Sequence, residues 1–135
     1  MVATLGNGLA GDARAILRSA VVLDLHVDSF IWSRVTGYDL LARHGRGLLG
    51  GRMYSQCDIP RARDARLGAV WSITTNPYRR RDARRRVFAD NLARLRGTLT
   101  DGGMVVVDSA NAFVAARAVG KQPALLGIQG ANALG

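Results

Sequence analysis

The chain contains no glutamate, only one cysteine and one lysine, and only two histidines. The single cysteine, Cys57, excludes an intramolecular disulfide and a zinc site built on several thiolates. No apolar run approaches the ~20 residues that a membrane-spanning helix needs. The amino terminus also lacks the basic segment and long apolar run of a signal peptide. We therefore expect a protein without membrane association and with a cytoplasmic location.

The positive charge of the chain comes almost wholly from arginine. Eighteen arginines and Lys121 stand against ten aspartates, which gives a formal net charge of +9 over 135 residues. A biased genome explains such arginine, alanine and glycine enrichment more simply than a nucleic-acid surface does, although charge alone does not separate the two. The hydrophobic content of 48% is typical of a globular protein. The length favours one domain over residues 1–135.

Short apolar segments alternate with helical patterns along the chain. The region from Ser33 to Pro60 is broken by five glycines and is predicted to be irregular, apart from a helical turn around 38–43. Strands that alternate with helices favour a parallel α/β architecture, in which function resides at the carboxyl ends of the strands. The predicted strands are 21–27, 68–74, 105–107 and 124–129, and the predicted helices are 12–18, 80–99 and 109–119.

The first predicted strand reads as a buried one and ends in two metal-ligating residue types, His26 and Asp28. Residues i and i+2 of a strand project to the same face, so these side chains are expected to lie side by side. An imidazole nitrogen and a carboxylate oxygen can together hold one divalent metal ion, typically zinc. A His-x-Asp pair also occurs by chance as a hydrogen-bonded surface pair, and the motif alone does not decide between the two.

Three blocks of the chain follow one another in the order and spacing of a known family. The apolar run 22–28 is similar to a first barrel strand that ends in a His-x-Asp ligand pair. Residues 56–63 and 68–72 are similar to an Asp-hydrophobe-Pro turn and the second strand after it. Residues 120–132 are similar to the third strand and its loop. From about residue 12 to its end, the chain thus resembles the renal or membrane dipeptidases, zinc peptidases with an amidohydrolase-like barrel.

The resemblance implies both a fold and an activity. The fold is the amino-terminal portion of a (β/α)8 TIM-type barrel, with about three parallel strands and their helices, which lie adjacent as the first staves. The activity is that of a metal-dependent hydrolase in which His26 and Asp28 bind zinc, and a zinc-activated water attacks the peptide bond of a dipeptide. Trp32 follows the ligand pair closely. It either lines the substrate pocket or packs as a core aromatic beneath the loop.

The first of two departures from the family pattern concerns the metal site. Gln129 stands where the family has a glutamate that bridges two zinc ions, and Asn132 stands where it often has a histidine. A neutral amide bridges two cations poorly, because it offers one good acceptor oxygen. This change is consistent with a single metal, with an altered second site or with an inactive relative. Gln129, His26 and Asp28 are expected to converge at the barrel mouth.

The second departure is the length of the chain. A complete barrel of this type needs ~250 residues, so the chain is expected to be a truncated piece. Its only histidines are His26 and His44, and His44 is expected on the surface rather than at the metal. The second metal site and the later substrate-binding strands are then missing, and the chain alone is expected to be inactive.

The main alternative to an enzyme is an arginine-rich binding module. Residues 78–86 carry six arginines in nine positions, and guanidinium groups suit phosphates. However, the run opens an amphipathic helix whose polar face needs charge, and no zinc-finger, RNA-recognition or OB motif is present. A solvated helix face is therefore favoured over nucleic-acid binding. A regulatory or vestigial barrel fragment stays open as a third interpretation. The sequence does not indicate the oligomeric state.

Overall fold

The computed structural model describes residues 11–13, 15, 16, 19–45 and 57–133. Within them, strands alternate with helices and all strands run parallel. The strands are β1 (Leu23–Val27), β2 (Gly68–Thr74), β3 (Met104–Val106) and β4 (Gln122–Gln129). The helices are α1 (Ser29–Thr36), α2 (Ile59–Asp64), α3 (Arg81–Asp101) and α4 (Ala110–Ala118), and a 3-10 turn, Ala131–Ala133, follows β4.

The four strands form one sheet in the order β1-β2-β4-β3. β2 pairs with β4 along its length, from Ala69 opposite Ala124 to Thr74 opposite Gln129. β1 pairs with the other edge of β2, with an irregularity in register before Val27. The expected parallel α/β architecture is therefore confirmed, and the three strands expected to be adjacent are adjacent.

The strand order determines which face of the sheet each helix covers. α3 leads from β2 past β4 to β3, whereas α4 returns from β3 to β4. Because crossovers between parallel strands are right-handed, connections that run in opposite directions lie on opposite faces. Leu95 of α3 accordingly packs in one hydrophobic cluster with Trp71, and Phe113 of α4 packs in another with Leu125. We call the side of the sheet that α3 covers the core face. The side that α4 covers, which also carries Ser72, is called the Ser72 face.

The predicted elements agree with most of the observed ones to within two residues. α3 begins one residue after the predicted start and extends to Asp101, and α4 is capped by Ser109, whose hydroxyl accepts the Ala112 N–H. The predicted helix 12–18 falls partly outside the described residues. Those that are described between 11 and 19 are helical. None of the helices in the described ranges is both long and apolar enough to cross a membrane.

Two helices, α1 and α2, are missing from the sequence-based prediction. The region from Ser33 to Pro60 was expected to be irregular, yet α1 extends into its beginning and α2 starts at its end. α2 is initiated by Asp58, whose carboxylate accepts the Arg61 N–H at 2.8 Å, and Pro60 lies in its first turn. An N-cap aspartate followed by proline is a helix-start signal. Where a brief helical turn is expected around 38–43, a turn is found at residues 40 and 41, without a longer helix.

β1 is exposed, although its apolar sequence predicts a buried strand. Val27 is buried, but Leu23 is 37% and Leu25 is 71% exposed. The cause is its position at the edge of the sheet, where β2 is its only partner among the described strands. An edge strand has one row of backbone groups without a ladder partner and less cover for its side chains. The prediction of burial is therefore wrong, and a free edge beside exposed apolar residues is observed.

Candidate functional site

His26 and Asp28 meet where β1 ends. Nε2 of His26 lies 3.1 Å from Oδ2 of Asp28. The backbone N–H of His26 donates to the Asp24 carboxylate at 2.9 Å, which holds the strand end in place. The His26 side chain is 50% exposed and that of Asp28 43%, so an ion from solvent can reach the space between them. The two side chains offer one nitrogen and one anionic oxygen to such an ion.

Asp28 is turned towards His26 by the backbone between β1 and α1. It occupies the N-cap position of α1 with φ −93° and ψ 5°, a sparsely populated region that many active-site residues adopt. Its side chain makes no capping hydrogen bond. Oδ1 is buried and has no hydrogen-bond partner among the described residues. A buried carboxylate oxygen without a partner is costly, so the position favours a cation or a donor beside it.

Ser72 of β2 holds the opposite side of the imidazole ring. Its Oγ lies 3.3 Å from Nδ1 of His26, and the residue is only 3% exposed. A hydroxyl can both donate and accept, so Ser72 can donate to Nδ1 when Nε2 carries the proton. It can equally accept from Nδ1–H when Nε2 is a metal ligand, as the outer partners of metal-bound histidines do. Ser72 is therefore a positioning residue for His26, which the sequence analysis did not identify.

Gln129 lies at the carboxyl end of β4, on the Ser72 face. Thr74 Oγ1 donates to Gln129 Oε1 at 2.8 Å, and the two residues are paired across β2 and β4. Because β2 separates β1 from β4, the backbone of Gln129 lies about two strand spacings, or ~10 Å, across the sheet from β1. No hydrogen bond within the described ranges joins Gln129 to His26 or Asp28. The three predicted site residues thus lie at the same end of the sheet, where the strands terminate, with Thr74 and Ser72 between them.

The other two residues considered from sequence lie in different environments. Trp32 is on α1, four residues after Asp28, and so one helical turn along the same side. His44 is half-buried, contrary to the surface position expected for it. Its ring stacks on Tyr38 with centroids 4.0 Å apart, and its Nε2 lies 2.6 Å from the Asp39 carbonyl oxygen. These contacts give His44 a structural role in the segment before α2.

Cys57 is unsuited to act as a nucleophile or thiolate ligand near neutral pH. Burial, and after it the negative charge of Asp58, raises the pKa of the Cys57 thiol to about 11. The thiol therefore stays protonated, and only the thiolate is a good nucleophile or metal ligand. The adjoining Asp58 is fully buried, and its carboxylate is occupied by Arg61 and by the backbone N–H of His44.

The donor set at the end of β1 is a pair rather than a complete metal centre. In the part of the chain that the structure describes, no group of three or more His, Cys, Asp or Glu side chains is placed to hold a metal ion. Catalytic zinc usually has three protein ligands and a water. His26 and Asp28 fit two of those positions, with the orphaned Asp28 oxygen as the feature that favours a cation.

The sequence matches no protein-family model, and no curated protein is significantly similar to it. The plain structural conclusion is a parallel α/β fold with a polar cluster at the carboxyl ends of β1, β2 and β4. Fold alone does not define an activity, which has to be argued from the residues of the site.

Proposed function

We propose that this chain supplies the first metal-binding pair of a dipeptidase-like metallohydrolase, on the opening strands of a (β/α)8 barrel. The observation that carries the proposal is the His26–Asp28 pair at the end of a parallel strand, with one Asp28 oxygen buried and unpaired. Barrel enzymes place their catalytic groups at this end of their strands. The resemblance of three ordered sequence blocks to the dipeptidases supports the same assignment.

The strand pairing is compatible with a barrel. β1, β2 and β4 would be three consecutive staves, since they are adjacent and parallel. β3 is three residues long and pairs only with the first part of β4, from Gln122 to Ala124. The carboxyl half of β4 is therefore open at that edge among the described strands, as is the outer edge of β1. A closed barrel requires further strands at both of these edges.

In the proposed site, His26 Nε2 and the Asp28 carboxylate would hold a divalent ion, which we take to be zinc. When bound, such an ion lowers the pKa of a water towards ~7 and polarises the carbonyl of the peptide bond. Ser72 Oγ would accept a hydrogen bond from His26 Nδ1–H and so keep Nε2 free to bind. Gln129 lies across the sheet with Oε1 already accepting from Thr74, which leaves its amide N–H groups available to a dipeptide oxygen. Trp32 stands one turn from Asp28 and forms an apolar wall for the substrate.

We expect little or no dipeptide hydrolysis by the 135-residue chain alone. It offers the ion one histidine and one aspartate at this site, whereas catalytic zinc usually has three protein ligands. The assay is hydrolysis of a simple dipeptide by the purified chain with added Zn²⁺. Zinc-dependent turnover that a chelator abolishes would show that the pair is sufficient and that this expectation is wrong.

The direct test of the site is metal binding rather than turnover. Calorimetric titration with Zn²⁺ should show one equivalent bound. His26→Ala should weaken binding by at least the roughly tenfold that loss of an outer partner causes, because it removes a ligand nitrogen itself. His44→Gln is the matched control, because it removes the only other imidazole of the chain. Thermal unfolding establishes that both variants are folded. Equal weakening by His26→Ala and His44→Gln, or by neither, would contradict the proposed site.

A further inference from the structure

A cavity of about 510 Å³ lies between α1, the end of β2 and the first half of α3. Four arginines line it, and no acidic side chain is among its described lining residues. We call this cavity the arginine pocket. The four arginines are Arg34 of α1, Arg79 of the loop before α3, and Arg84 and Arg94 of α3.

Arg34 is held firmly in the pocket but is not neutralised. Its Nη2 donates to the Thr74 carbonyl oxygen at 3.1 Å, and its guanidinium lies 5.5 Å from the centre of the buried Phe30 ring. Its Nε is buried and has no hydrogen-bond partner among the described residues. Burial, followed by the charges of Arg79 and Arg94, lowers the pKa of Arg34. The guanidinium thus has a fixed position and a donor directed at no acceptor.

The other arginines complete a cluster of like charge. Arg94 approaches the Phe30 ring from α3, at 6.0 Å from its centre. Arg84 donates to the carbonyl oxygens of Arg79 and Asn132, which fixes its guanidinium at the pocket rim. None of the four forms a salt bridge with a carboxylate in the described ranges. An anion bound among them would relieve their mutual repulsion without a large rearrangement.

The remaining walls define the kind of anion that fits. Asn76 and Asn91 add neutral polar groups. A phosphate dianion offers several oxygens to several guanidinium forks, whereas a carboxylate offers two. Besides Thr74 and Thr75, apolar side chains form the rest of the lining: Ile31, Val35, Val87 and Phe88. We propose that the arginine pocket binds a phosphate monoester that carries a small apolar group. The proposal does not rest on the metal site, which lies on the Ser72 face, whereas α1 and α3 cover the core face.

The arginine run at the start of α3 provides an internal control for this proposal. Arg85 and Arg86 are exposed and do not line the pocket. A surface that attracts nucleic acid through charge alone would use them as much as it uses Arg84 or Arg94. Arg85→Gln and Arg94→Gln remove the same charge from the same helix, and only the second alters the pocket.

Calorimetric titration with phenyl phosphate, at fixed ionic strength, tests the proposal. We expect saturable one-to-one binding that Arg94→Gln and Arg34→Gln each weaken about tenfold or more, while Arg85→Gln changes it less than about twofold. Inorganic phosphate and benzoate should each bind more weakly than phenyl phosphate, since one lacks the apolar group and the other the phosphate. Arg94 is exposed on its helix, so its variant keeps the test valid if Arg34→Gln does not fold.

Three results would overturn the proposal. The first is the absence of saturable phenyl phosphate binding, and the second is benzoate binding of equal strength. The third is equal weakening by Arg85→Gln and Arg94→Gln, with a single-stranded oligonucleotide bound more tightly than phenyl phosphate and with steep salt dependence. That pattern would assign the charge to a nucleic-acid-binding helix face.

Discussion

Ser72 Oγ lies 3.3 Å from Nδ1 of His26, although 46 positions separate the two residues in the sequence. The contact exists because β1 and β2 are neighbours in the sheet and both residues lie near the carboxyl ends of these strands. One ring nitrogen of His26 is thereby engaged by a buried hydroxyl, and the other faces Asp28. The imidazole is held between a fixed partner and a solvent-accessible one, an arrangement that is compatible with the proposed role of His26 as a metal ligand.

Removal of the Ser72 hydroxyl should weaken metal binding through the orientation of His26. We expect Ser72→Ala to raise the dissociation constant for Zn²⁺ by about tenfold or more, the range found for outer partners of metal ligands. Ser72→Thr retains a hydroxyl and should restore most of the affinity. Titration calorimetry measures both constants. If Ser72→Ala and Ser72→Thr bind Zn²⁺ as the unaltered chain does, the hydroxyl has no role at the site.

An acidic residue at position 129 should add metal-binding capacity. In a complete relative of this chain, we expect Gln129→Glu to strengthen binding of a second zinc ion, because a carboxylate can contribute to two cations where the amide contributes to one. Asn111→Asp is the control, since it introduces the same charge at an exposed position of α4, outside the proposed site. The measurement is zinc stoichiometry after gel filtration. A stoichiometry that Gln129→Glu leaves unchanged, or that Asn111→Asp raises equally, would remove Gln129 from the proposed site.

The high pKa of Cys57 makes stability depend on pH in the alkaline range. The ordinary pKa of the thiol is 9.0, and burial raises the pKa to about 11 in the folded chain. Below pH 9 both states keep the proton, so the thiol has little effect. Between pH 9 and 11 the unfolded state releases its proton first, and the free energy of unfolding should fall by about 1.4 kcal/mol per pH unit.

The comparison with Cys57→Ala isolates this effect from other titrating groups. Urea unfolding of both chains from pH 8 to 11 gives the difference in free energy of unfolding at each pH. Between pH 9 and 11, the free energy of unfolding should fall more for the chain with the thiol than for Cys57→Ala. A difference that is independent of pH would show that the thiol ionises normally in the folded state.

The exposed edge of β1 should make the chain prone to self-association. Leu25 is 71% exposed on a strand whose outer edge has no partner among the described strands. We expect Leu25→Lys to reduce aggregation at high concentration, because a charge on an edge strand opposes pairing with another chain. Val114→Lys on α4 is the control for added charge at another exposed apolar position. Light scattering distinguishes the two, and an equal effect of both variants would assign the benefit to net charge.

The sequence predicts elements whose determinants are local and misses those that depend on distant partners. Ser109 and the apolar spacing of α4 define that helix from neighbouring residues alone. The exposure of Leu25 is different, because it follows from the position of β1 at the sheet edge, which no local pattern records. α2 could have been predicted, since Asp58 and Pro60 form a recognisable helix start.

In the candidate sites too, the sequence predicts the local relationships and misses those that depend on distant partners. His26 and Asp28 were predicted to lie side by side from the two-residue period of a strand, and they do lie 3.1 Å apart. The role of Ser72 depends on the pairing of β1 with β2. The approach of Arg34 to Arg94 depends on the packing of α1 and α3 around Phe30. Such contacts join segments far apart in sequence, so periodicity and composition do not reveal them.

The position of β4 between β2 and β3 has a consequence for the order of folding. β4 is the last strand of the described chain, and it supplies the ladder partners of both β2 and β3. The centre of the sheet therefore cannot form until Ala124 pairs with Ala69, and closure of such a long loop slows folding. During synthesis, β1 is the only one of the two described partners of β2 that is present until β4 has emerged. The nascent chain thus presents an unpaired edge of β2 until residues 122–129 have been synthesised, and binding by a chaperone would matter most in that interval.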